Sequence, residues 1–60
     1  MDKLAISFAE AAALLGVSRP TMYALSRRDG FPVFSVGSRR LISVEGLRRW
    51  VAEQAGEAMN

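Results

Sequence analysis

Sixty residues allow one small domain, since a chain of this length buries only about 60% of the surface its unfolded form exposes. Half of the residues are apolar, which argues against disorder, and the absence of cysteine and histidine excludes disulfide staples and a zinc-type site. The formal charge is only +2, but five arginines between Arg19 and Arg40 face a single acid there, Asp29, so the middle of the chain carries +4 while both ends are slightly acidic.

The first element is expected to begin at Ser7. Ser7-Phe8-Ala9-Glu10 reads as a capping box, with the serine hydroxyl accepting from the Glu10 amide and the Glu10 carboxylate reaching back to the Ser7 amide. Phe8, Ala11, Ala12 and Leu15 then recur at helical spacing, and Gly16 suits the left-handed position just past a helix end. A second helix follows almost at once. Ser18 is its N-cap candidate, Pro20 is tolerated in the first turn, and the helix is expected to cover Arg19 to Arg28 before Asp29-Gly30 stops it. Met22, Leu25 and part of Tyr23 should face inward, with Arg19, Thr21, Ser26 and Arg27 outward.

Phe31-Pro32 turns the chain into an extended stretch. Phe34-Ser35-Val36, the turn Gly37-Ser38 and the apolar Leu41-Ile42 predict a two-stranded hairpin with a basic tip. Ser43 can cap a last helix from about Val44 to Gln54, with Val44, Leu47, Trp50 and Val51 as its apolar stripe and a frayed tail from Ala55 to Asn60. Gly46 inside that helix has no reason visible in the sequence. The core is expected to rest on Leu15, Leu25, Leu47 and Trp50, so that Leu15→Ala or Trp50→Ala would leave the chain largely unfolded. The fold class is mainly α with a small β-hairpin, a winged helix-turn-helix forming one domain over 1–60 with its core in about 5–52.

Two short helices joined through Leu15-Gly16-Val17-Ser18 make a helix-turn-helix. The second helix carries a polar face from its N-terminus, and a major groove about 12 Å wide admits one such helix. Duplex DNA is therefore the expected partner, with the hairpin tip on the neighbouring backbone or minor groove.

The residues from Glu10 to Arg19, then Thr21-Met22-Tyr23, Gly30-Phe31-Pro32, Val36-Gly37, Arg39-Arg40 and Leu47-Arg48-Arg49-Trp50 resemble the excisionase family of DNA-binding domains. These are similar to MerR-type winged helix-turn-helix domains and include phage and transposon excisionases and AlpA-like prophage regulators. The resemblance spans about residues 5 to 52. It implies that the helix around Arg19 to Arg28 lies in the major groove and that Gly37 to Arg40 form the wing, and it leaves excision and transcriptional regulation both open. No long coiled coil or ligand-sensing domain follows, so effector control is not expected.

The candidate DNA contacts are Ser18, Arg19, Thr21, Tyr23, Arg27, Arg28, Arg39 and Arg40. Arg19 can read a guanine edge or hold a phosphate, or be a solvated first-turn residue. Thr21 can serve both as capping partner of Ser18 and as a base contact. Tyr23 can pack its ring on the hairpin and offer its hydroxyl to a phosphate. Arg27 and Arg28 suit the negative end of the helix dipole with or without DNA. Arg39 and Arg40 point to opposite sides of a strand, so one should reach DNA while the other covers the core or pairs with an acid. Gly37 is a backbone requirement and Trp50 a core anchor. Scattered acids, no histidine or cysteine and no glycine-rich phosphate loop argue against an enzyme, and no cofactor or metal is expected.

No targeting or membrane-spanning stretch stands out, which suggests a cytoplasmic, nucleoid-associated protein of bacterial or phage origin. An integrase or other recombinase, RNA polymerase and further copies on DNA are the additional partners left open. The alternative reading is an adaptor that docks a recombinase or polymerase without binding DNA itself.

Overall fold

A computed structural model describes residues 3–59. Its elements run β1 (Ala5–Ile6), α1 (Phe8–Leu15), α2 (Arg19–Ser26), β2 (Val33–Val36), β3 (Arg39–Ser43) and α3 (Val44–Met59). Three helices and a small antiparallel sheet make a winged helix-turn-helix, as expected.

Local chemistry explains the two helix starts. The Glu10 amide donates to Ser7 Oγ at 3.1 Å and the Thr21 amide to Ser18 Oγ at 3.3 Å, so each serine satisfies one of the amides a helix leaves without a partner. The Glu10 carboxylate also contacts Lys3 Nζ at 3.0 Å and the Ser7 hydroxyl at 3.5 Å. Between α1 and α2, Gly16 takes a left-handed φ of 73°, which lets the Val17 amide turn back to the Ala12 carbonyl at 3.0 Å. Val17 thereby packs onto the core, and α2 begins two residues after the turn.

The sheet order is β1-β3-β2, with both pairs antiparallel. The expected hairpin is β2–β3, its register set by Val36 opposite Arg39 and Val33 opposite Ile42. Gly37, at φ 61°, meets the requirement of a two-residue hairpin turn. The third strand was not expected. Ala5–Ile6 is too short to show alternation, and it becomes a strand because Ile6 lies opposite Ile42 while the Val44 amide donates to the Leu4 carbonyl at 3.0 Å.

The core is formed by Ile6, Ala11, Ala12, Met22, Phe31, Ile42 and Leu47. Its centre differs from the expectation: Met22 and Ile42 are the large side chains with no exposure, while Leu15, Leu25 and Trp50 are only partly buried around them. With two alanines as the buried face of α1, the helix approaches closely enough for Met22 and Ile42 to fill the centre from α2 and β3. Trp50 does act as an anchor, its ring edge-on to Phe31 at 5.0 Å between centroids.

In α3, Ser43 Oγ accepts from the Gly46 amide at 3.0 Å, the expected cap. The helix is longer than expected and continues through the supposed tail to Met59, because Ala52-Glu53-Gln54-Ala55 are good helix formers and nothing before Gly56 interrupts them. Val51 is 39% exposed and lies off the stripe that Val44, Leu47 and Trp50 press onto the core. Gly46 has a tertiary reason. A Cβ there would stand 2.6 Å from Pro32 Cβ and 3.2 Å from Ser43 Oγ, so only glycine lets the first turn of α3 rest on the Phe31-Pro32 corner.

Candidate nucleic-acid interface

Helix α2 is eight residues long with Met22 fully buried beneath it and Arg19, Thr21 and Tyr23 exposed. Arg19 and Tyr23 lie four residues apart, one above the other on the same face. Thr21 is the capping partner: Ser18 Oγ donates to Thr21 Oγ1 at 2.9 Å, which engages the Ser18 hydroxyl within the cap. The Tyr23 ring has an aromatic partner on α1. It packs against Phe8 at the start of α1, with centroids 4.9 Å apart and planes tilted by 39°, leaving the residue half exposed.

Helix α2 is shorter than expected. It ends at Ser26, and Arg27 and Arg28 lie in the turn that follows, their amides donating to the Ala24 and Leu25 carbonyls at 3.2 and 3.0 Å. Ser26, expected to face outward, is half-buried, and its hydroxyl donates to the Tyr23 carbonyl at 2.6 Å. The side-chain hydroxyl thus takes up a carbonyl in the last turn and helps end the helix. Arg27 and Arg28 remain exposed at the far end of α2 from Arg19.

On β3, strand alternation puts Arg40 on the side of Ile42, facing α1, and Arg39 on the opposite side with Leu41. The Arg40 guanidinium lies over the Phe8 ring, 5.6 Å from its centroid, within cation–π range. Arg40 therefore covers the edge of the core, yet it stays exposed and borders, with Ser7, Phe8, Ala9 and Tyr23, one shallow depression. A neighbouring depression is lined by Phe8, Ala9, Arg19, Met22 and Tyr23. Arg19, Tyr23 and Arg40 are thus gathered around the N-terminal turn of α1, whereas Arg39 and the Arg27–Arg28 pair lie apart from that cluster. Phe8 joins the group without having been expected there. It reads as the first residue of a core stripe, and the available signal is that a large aromatic in the first turn lies where the stripe is only beginning.

Most of the positive charge left unpaired among the described residues lies between Arg19 and Arg40. Among the described residues the ion pairs are Lys3 with Glu10 at 3.0 Å and Glu45 with Arg49 at 3.5 Å. Arg19, Arg27, Arg28, Arg39 and Arg40 have no acidic partner among those residues, so their charge is available to an external anion. Lys3, hydrogen-bonded to Glu10, holds that carboxyl below its ordinary value against the opposing effect of desolvation, with the Ser7 backbone and hydroxyl adding to the lowering. Among the described residues no helix is long and apolar enough to cross a membrane.

The model of a family described as a helix-turn-helix domain matches residues 6–55, from β1 through most of α3. Comparison with curated proteins and with solved structures gives no match. The match covers most of the chain and contains both helices of the motif, the hairpin and every basic residue from Arg19 to Arg40, so the chain belongs to the helix-turn-helix domain family of excisionase-like DNA-binding proteins.

Proposed function

We propose that the chain is a non-catalytic, sequence-specific binder of duplex DNA, acting as an excisionase-like recombination factor or a small transcriptional regulator. The observation that carries this reading is that five of the six arginines without acidic partners among the described residues lie in α2, the turn after it and the hairpin, the sixth being Arg48 on α3. A helix with its side chains is about 10–12 Å across and fits a major groove about 12 Å wide. In this reading α2 enters the groove with Arg19 and Thr21 toward base edges, while Ser18 contributes through the cap that orients the first turn. Tyr23, Arg27, Arg28 and, of the two wing arginines, Arg40 on the side of the cluster grip the backbone. Both roles belong in the cytoplasm, at the nucleoid of a bacterium or the genome of a phage. An integrase or other recombinase, RNA polymerase or further copies along the DNA are the partners such roles bring.

The test combines salt titration with a binding selection. Each phosphate contact adds about 0.9 to the slope of log affinity against log salt, so three such arginines should lower affinity roughly 40-fold between 50 and 200 mM salt. In a selection from a randomised duplex library, Arg19→Ala should flatten preference at one or two adjacent base pairs, since a bidentate arginine–guanine contact is worth about 1–3 kcal/mol of discrimination. A preferred motif that survives Arg19→Ala at every position would remove Arg19 from base reading. Affinity that is absent, or indifferent to salt, would favour the adaptor reading instead.

A further inference from the structure

The Phe8 side chain touches both α2 and the β2–β3 hairpin at the candidate interface. Its ring meets Tyr23 of α2 at 4.9 Å and lies under the Arg40 guanidinium of β3 at 5.6 Å, while Phe8 itself sits in the capped first turn of α1. The backbone that carries Phe8 is held by the Ser7 cap, so the ring is anchored independently of the two residues it contacts.

Arg40 is exposed and has no carboxylate within ion-pair distance among the described residues, so the aromatic face is the contact that restrains its long side chain. Fixing such a side chain at the moment of binding costs affinity, and a contact that fixes it beforehand removes that cost. Aromatic burial alone does not account for the arrangement. Phe8 is only partly buried against the core, and a leucine there would keep the apolar contact while offering no π face to the guanidinium.

We propose that Phe8 is a positioning residue for DNA recognition: its ring pre-sets Arg40 of the wing and Tyr23 of the recognition helix as one surface, so that the two elements engage the duplex together. This rests on the reading that α2 and the hairpin form the DNA-binding face. In that arrangement α1 takes no part in reading sequence. It sets the separation between the helix contact and the wing contact.

The test is a double-mutant cycle measured on a short fluorescent duplex, with parent, Arg40→Ala, Phe8→Leu and the double variant, plus Phe8→Tyr as the variant that keeps the ring. Circular dichroism melts check that each is folded, and Phe8→Met replaces Phe8→Leu in the cycle if the latter does not melt cooperatively. Arg40→Ala should weaken binding in the parent, the same change should weaken binding about two- to tenfold less in the Phe8→Leu background, and Phe8→Tyr should restore the parent's sensitivity. Equal losses in the two backgrounds would overturn the positioning role and leave the DNA-binding face intact. Tighter binding by Phe8→Leu would also overturn it, because the ring would then be holding Arg40 away from the duplex. No response to Arg40→Ala in the parent would remove the wing residue from the interface, and the positioning role would fall together with that part of the proposed function.

Discussion

Replacing Gly46 by alanine sets two effects of known sign against each other. In an unobstructed helix the change gains up to about 1 kcal/mol, because glycine is the worse helix former by that amount. At Gly46 the new methyl would stand 2.6 Å from Pro32 Cβ, well inside van der Waals contact, and 3.2 Å from Ser43 Oγ, the atom that caps α3. The proline Cβ is fixed by its ring and by a backbone whose carbonyl accepts from the Ser43 amide at 3.0 Å, so it cannot swing aside as a flexible side chain would. Overpacking of this kind costs about 1–3 kcal/mol, which outweighs the propensity gain. Gly46→Ala should therefore be less stable than the parent by up to about 2 kcal/mol, a fall in Tm of up to roughly 8–16 °C for a domain of this size. Gly56 provides the matched control in the same helix, since a Cβ there meets nothing within 4 Å. Gly56→Ala should hold or raise the Tm. The assay is thermal unfolding followed by circular dichroism, with reversibility checked for each variant. If Gly46→Ala melts above the parent by as much as Gly56→Ala does, the α3–Pro32 contact is not tight and the tertiary explanation of this glycine is wrong.

Met22→Ala removes the centre of the core and should cost about 2–5 kcal/mol, a large part of the roughly 3–9 kcal/mol available to 60 residues, whereas Leu15→Ala, at a partly buried site, should cost less. Denaturant titration of both variants checks this, and a larger loss for Leu15→Ala would put the core centre back on α1. The Lys3–Glu10 pair makes a pH prediction. Because the folded carboxyl lies below its ordinary 4.5, its contribution is present above that value and is lost as pH falls through the lower folded value. The Tm difference between parent and Glu10→Gln should shrink from neutral pH toward about pH 3, and it should also shrink at high salt because the pair is exposed. A difference that persists unchanged in acid would assign the effect to something other than the carboxylate.

Most of the secondary structure was readable one residue at a time, because its causes are local. Ser7, Ser18 and Ser43 cap helices whose first amides lie within three residues of them, Gly16 and Gly37 supply positive φ at the turns, and the strand alternation around Leu41-Ile42 needs only its neighbours. The basic middle segment and the helix-turn-helix were legible for the same reason. What stayed hidden depends on pairs far apart in the chain. β1 exists only because Ile6 finds Ile42, and Gly46 is glycine only because Pro32 arrives against α3. The candidate interface divides in the same way. That Arg19 and Tyr23 share a helix face follows from a period of 3.6 residues, and that Arg39 and Arg40 diverge follows from a period of two. The partnership of Tyr23 and Arg40 through Phe8 joins α2, β3 and α1, whose residues are up to 32 positions apart in the sequence. Local rules set which way a side chain points from its own element, but the packing of Ala11, Ala12, Met22 and Ile42 set where those elements stand relative to one another, and so which side chains meet.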